Sequence, residues 1–116
     1  MRMAAAAMGL AACQPAAGPT IERVEPAAAA RGSRILVVGD DFCGEGRDGG
    51  DGTCTSLPPG AVDVGLDLPM ARAMVVTWGA QEIMVNVPAA AATGASEIIV
   101  TVDGRSSNAA DFEVLP

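Results

Sequence analysis

Between Asp40 and Cys54 the chain packs five carboxylates, one arginine and two cysteines into fifteen residues, spaced by glycines. The chemistry such a run offers is binding of a hard cation. Calcium takes roughly six to eight oxygen ligands from carboxylates, carbonyls and water, on a chain that turns sharply. Asp40, Asp41, Glu45, Asp48 and Asp51 offer the carboxylates, and the glycines let backbone carbonyls turn inward. The spacing matches neither an EF-hand loop nor a calcium-binding nonapeptide repeat. Two readings therefore stand side by side: a calcium or other divalent-cation site, and a solvated glycine-rich loop whose charges stay apart.

Catalytic chemistry finds less to work with. The chain contains no histidine, lysine or tyrosine. That removes serine–histidine and cysteine–histidine nucleophiles, histidine acid–base roles and histidine-ligated metals together. Ser56, Ser106 and Ser107 have no basic neighbour to activate them. Paired carboxylates acting on a glycosidic bond need a cleft and one raised pKa. The three aromatic residues, Phe42, Trp78 and Phe112, make a poor platform for a sugar. Both phenylalanines are expected in the core, and Trp78 in the core or against a sheet edge. No catalytic residue and no resident cofactor is expected. Seven arginines against 14 acids give a net charge of -7, which repels nucleic acid.

The third cysteine lies in a different setting. Arg2 is followed by an apolar run from Met3 to Ala12 and then small residues around Cys13. A basic start, an apolar stretch and a small-residue cleavage site are the parts of a secretory signal. The run is far shorter than the roughly 20 residues of a permanent span. Leu10-Ala11-Ala12-Cys13 also resembles the bacterial lipobox, which implies a lipid on Cys13, cleavage before it and a domain tethered to the membrane face. A plain signal peptide or an incidental cysteine are the other readings. With Cys13 lipidated, Cys43 and Cys54 remain as a pair for an oxidising compartment, the alternative being two free thiols in a reducing one. The organisation expected is a signal over residues 1–12, a tether over 13–19 and a folded domain over 20–116.

A length of 116 residues leaves room for one core. What must position the acidic run is a set of short strands. β-branched clusters recur at Thr20–Val24, Ser33–Val38, Ala61–Leu66, Ala73–Trp78, Glu82–Val87, Glu97–Val102 and Ala110–Leu115, separated by proline and glycine. Apolar residues alternate within them, as in Ile83, Val85, Val87 and in Ile98, Val100, Val102. That period buries one face of each strand, the pattern of an antiparallel sandwich. Asp103-Gly104 suits a tight hairpin, and Asn108 a turn cap. The alanine runs Ala27–Ala30 and Ala89–Ala92 are too short to make helices.

In order and spacing these features resemble the IPT/TIG domains, immunoglobulin-like β-sandwiches of the early-set type. The similarity runs from about Pro19 to Leu115. Pro19-Thr20-Ile21 with Val24-Glu25-Pro26 looks like the family's opening strand. Gly32, Ile35, Val37, Gly39 and Phe42 look like its second. Trp78-Gly79-Ala80-Gln81-Glu82-Ile83 resembles its central hairpin, and Gly94, Ile98, Val100, Val102, Gly104, Ser107-Asn108 and Phe112 its closing strands. The resemblance implies an all-β, immunoglobulin-like antiparallel sandwich of about seven strands, here with a cysteine-clipped acidic insertion. The antibody-type Cys–Trp–Cys arrangement and tyrosine corner are absent. Members of the family are receptor modules, transcription-factor parts, spacers in starch-acting enzymes and bacterial surface domains, so fold alone does not select a function.

The expected function is a non-catalytic module of the cell envelope or surface, for protein interaction or structural support. Its partner is a protein at the envelope, and its membrane contact runs through the lipid anchor alone. A secreted form is the other location. Two further readings are a divalent-cation-binding envelope protein that uses the 40–51 loop, and an accessory domain of a carbohydrate-acting assembly. Self-association is left open.

Overall fold

A computed structural model describes residues 18–116. Cys13, the signal and the start of the tether lie outside the described residues. Ten strands follow in order: β1 Thr20–Glu25, β2 Ala28–Ala30, β3 Arg34–Asp40, β4 Gly60–Gly65 and β5 Ala71–Arg72, then β6 Met74–Trp78, β7 Glu82–Asn86, β8 Gly94–Val102, β9 Arg105–Ser106 and β10 Ala110–Leu115. One sheet has the order β1-β3-β7-β6. The other runs β2-β10-β8-β4-β5, with β9 paired to β8. All pairings are antiparallel except β2 with β10. Among the described residues no helix is long and apolar enough to cross a membrane.

The two sheets face each other across residues that the alternation assigns to one side. Ile35 lies opposite Val85 and Val37 opposite Ile83 in the first sheet. Val62 lies opposite Val100 and Val64 opposite Ile98 in the second. All eight are buried, and Phe42, Phe112 and Val114 complete the core. This is the all-β sandwich expected, with a correction to the strand count. Ten strands in sheets of four and six form a curled, partly open sandwich instead of a seven-strand one. The additional strands are β2, β5 and β9. They are two or three residues long, and each exists because a longer neighbour offers it hydrogen bonds. β2 takes up the last three residues of the Ala27–Ala30 run, and Glu113 N–H of β10 donates to Ala27 C=O just before it at 3.0 Å.

Two turns follow from local chemistry. Asp103 and Gly104 have φ of 52° and 79°, the double left-handed pair of a two-residue hairpin joining β8 to β9. Asn108 does something other than cap a turn. Its amide donates to Ile21 C=O at 3.0 Å and accepts from Ile21 N–H at 2.8 Å. It thereby fastens the free edge of the first sheet to the segment entering β10 of the second. Asn108→Ala removes both bonds and leaves part-buried backbone groups without partners. We expect a loss of about 2 kcal/mol, read from the midpoint of urea unfolding at unchanged slope.

Candidate functional site

The acidic run grows out of the end of β3. Phe42 is fully buried there, and its backbone is held on both sides. Phe42 N–H donates to Ala80 C=O at 3.2 Å, and Phe42 C=O accepts the Trp78 indole N–H at 2.7 Å. Cys43, only 2% exposed, is bonded to Cys54, with 5.3 Å between the Cα atoms. This is the pairing expected for an oxidising compartment.

Beyond the disulfide the chain forms a small finger instead of a loose loop. Thr55 N–H donates to Arg47 C=O at 2.7 Å and Gly49 N–H to Thr53 C=O at 2.9 Å, with Asp48 bridged to Cys54 between them. The tip, Gly50-Asp51-Gly52, is tied by its own carboxylates. Asp48 Oδ1 accepts Gly50 N–H at 2.8 Å. Asp51 Oδ1 accepts the Thr53 N–H at 3.0 Å and the Thr53 hydroxyl at 2.5 Å. The finger then rests on the β6–β7 turn, where Ala80 N–H donates to Gly52 C=O at 2.9 Å and Thr53 bridges Gly79. Its base is pinned by Arg47, whose guanidinium meets Asp103 Oδ2 at 2.8 Å with both side chains part-buried.

The five carboxylates are thus distributed. Asp41 and Glu45 line one shallow cleft of about 300 Å³ with Asp103 and Arg105. Asp40 lines another, of about 340 Å³, with Glu22, Arg23 and Glu82. Asp48 and Asp51 line neither of these clefts, and each has an oxygen engaged in a turn of the finger. Among the described residues no group of three or more acidic or cysteine side chains is arranged to hold a metal ion. The sequence reading missed Arg47 and Asp103 as partners. They stand 56 residues apart, and Asp103 carries only a turn signal of its own.

The Thr53 hydroxyl and amide hold the Asp51 carboxyl below its ordinary pKa, because hydrogen bonds to the ionised form favour it. A depressed folded-state pKa contributes stability that is present above the unfolded value and is lost as pH falls through the folded one. Thr53→Val removes the hydroxyl, the larger cause. We expect the Asp51 titration, followed by carboxyl NMR, to move up toward the ordinary aspartate range. An unmoved midpoint would show that the hydroxyl bond is not made.

The aromatic residues are consumed by the fold. Phe42 and Phe112 are buried. Trp78 packs against the core with its indole N–H engaged, and Gly60 leaves room for the ring: a Cβ there would lie 2.9 Å from it.

No protein-family model matches the chain, and no curated protein matches it. Among solved structures it is similar to the gamma-CGTase from alkalophilic Bacillus clarkii. The two are 27% identical, with a TM-score of 0.65, over 85% of this chain and 12% of that one. The chain therefore corresponds to a small part of that protein. The likeness is to a distantly related domain, of similar sandwich fold, within a carbohydrate-active enzyme.

Proposed function

We propose that this chain is a non-catalytic accessory domain of an exported carbohydrate-acting assembly, built on an immunoglobulin-like sandwich of the IPT/TIG type. The observation that carries the reading is the match to gamma-CGTase, which takes in most of this chain and 12% of that enzyme. Support also comes from the amino acids: without histidine or lysine the usual bases and nucleophile activators are missing. Export is supported by the Cys43–Cys54 bond, since such bonds persist in oxidising compartments. A lipid on Cys13 would hold the domain at the outer face of a membrane. The reading as a free-standing envelope module draws on export and on a compact domain without a catalytic set, both of which the accessory reading shares.

Within the assembly the role we propose is to space and orient a partner, not to capture sugar. Sugar platforms use exposed aromatic faces, and all three rings here are engaged in packing. Crosslinking of intact producing cells, followed by mass spectrometry, tests the reading. The expected product joins this chain to a polypeptide with a glycoside-acting catalytic domain. Crosslinks confined to proteins without one would overturn it. So would retardation of the isolated chain in a starch gel, as far as the spacing role is concerned.

A further inference from the structure

Among the described residues Ser96 is the only buried polar side chain, at 6% exposure. It stands first in the inward-facing row of β8 that continues through Ile98, Val100 and Val102. Among the described residues no hydrogen bond engages its hydroxyl, although a buried group of this kind ordinarily has a partner. What it faces is a groove of about 540 Å³ at the end of the sandwich away from the finger. Val64 and Ser96 form the floor. The β4–β5 turn with Pro69 and Met70 makes one wall, and Ala91 and Thr93 of the β7–β8 loop make the other. The second wall is fixed: Ala91 N–H donates to Pro88 C=O at 3.1 Å, and Ala91 C=O accepts Arg31 Nε–H at 2.6 Å. An apolar groove with a hydrogen-bonding group at its base has the form of a binding site.

The groove continues. A second cleft, of about 510 Å³, shares Leu66, Ala95 and Ser96 with it and leads onto the outer face of the second sheet. There Asp111 lies directly opposite Glu97, with Glu113 next on the same face. Among the described residues none of these three carboxylates belongs to an ion pair. Like charges set opposite each other on neighbouring strands repel, and the fold brings no cation to offset them. Leu66, 59% exposed, stands where the apolar and acidic stretches meet.

We propose that the two clefts form one docking groove for an extended peptide segment of a partner protein, apolar residues followed by arginine or lysine. The apolar residues lie between the β4–β5 turn and the β7–β8 loop. A backbone carbonyl of the segment accepts the Ser96 hydroxyl, and its cationic side chains meet Glu97, Asp111 and Glu113. Charge selects a basic segment over an acidic or neutral one. Shape selects a chain over a compact small molecule, because both clefts are open to solvent, whereas a small-molecule pocket encloses most of its ligand. The inference does not rest on the accessory role. The two fail separately, since defined peptides read the groove and crosslinks in cells read the assembly.

Titration of the isotope-labelled full chain, carrying Cys13→Ser so that no intermolecular disulfide forms, tests it by NMR. The probe is the synthetic peptide acetyl-Ala-Leu-Ala-Ala-Arg-Ala-Arg-amide. The expected result is saturable movement of the Leu66, Ala91, Ser96, Glu97 and Asp111 amide signals, with a Kd of about 0.1–1 mM that weakens with salt. A peptide with glutamate at both arginine positions should not bind. One with glycine in place of leucine and every alanine should bind at least tenfold more weakly. Glu97→Gln with Asp111→Asn should also cost at least tenfold, while raising the melting temperature because the repulsion across the strands is gone. Ser96→Ala should weaken binding by about threefold to tenfold without lowering the melting temperature. No saturable movement up to about 5 mM peptide, equal binding of the glutamate peptide, or movement mainly on the acidic finger would each overturn the proposal. So would unchanged affinity in Ser96→Ala, or a lower melting temperature for it, which would show the hydroxyl already partnered within the sandwich.

Discussion

Phe42→Ala is expected to lower stability by about 4 kcal/mol, near the upper range for removing a buried ring. The magnitude follows from how little the surroundings can collapse. The ring is fully buried between the sheets, and the backbone that carries it is tied to Ala80 and to the Trp78 indole. On its other side β1 and β3 approach so closely at Gly39 that a Cβ there would overlap Thr20 C=O and lie 2.8 Å from the Phe42 ring. Strands so close cannot move inward to fill the space the ring leaves. The cavity persists, and its lining loses its dispersion contacts outright. For a domain whose whole stability is about 5–15 kcal/mol, such a loss takes a large share. Urea unfolding followed by far-ultraviolet circular dichroism gives the value. A change below about 1 kcal/mol would mean that the site relaxes, and that the pinned backbone described above is not rigid.

The same residues show where a sequence is informative. β3, β7 and β8 could be read with their buried faces because Ile35, Val37, Ile83, Val85, Ile98 and Val100 repeat with period two, and that period is a local property of a half-buried strand. Phe42 could be read as a core residue on other grounds, as one of only three aromatic side chains in the chain. β2 could not: Ala28–Ala30 has no β-branched signal, and its pairing is supplied by β10 more than eighty residues away. The clip between Cys43 and Cys54 was legible because cysteine chemistry and compartment bear on each other. What the clip holds was not. The seat of the finger on Gly79 and Ala80, the Arg47–Asp103 ion pair and the Asn108 clasp on Ile21 all join residues far apart in the chain. None leaves a mark on its own neighbourhood. Carboxylates also looked like a ligand set because sequence shows charges but not what they are used for; Asp48 and Asp51 are engaged in the finger's own turns.

Loss of the Cys43–Cys54 bond, by Cys43→Ala with Cys54→Ala, is expected to reduce stability by about 3 kcal/mol while leaving the fold in place. The bond closes a loop between cysteines 11 residues apart, and the loop-closure entropy it removes from the unfolded chain is worth about that much. The folded finger keeps its other attachments, Arg47 to Asp103, Gly52 to Ala80 and Thr53 to Gly79, so the effect lies mainly in the unfolded ensemble. For a domain of this size each kcal/mol moves the melting temperature by roughly 4–8 °C, and the shift should exceed about 10 °C. Trp78 reports on the folded side: its N–H rests on Phe42, next to Cys43, so native fluorescence should be unchanged if the finger stays seated. Wild-type protein treated with reductant should melt with the double variant. A shift under about 2 °C would show that the insertion contributes nothing through its covalent closure. A large shift accompanied by altered Trp78 emission would place the effect in the folded state instead. The expected size also bears on where the domain works, because a sandwich that draws about 3 kcal/mol from one disulfide holds its full stability only where that bond is kept oxidised.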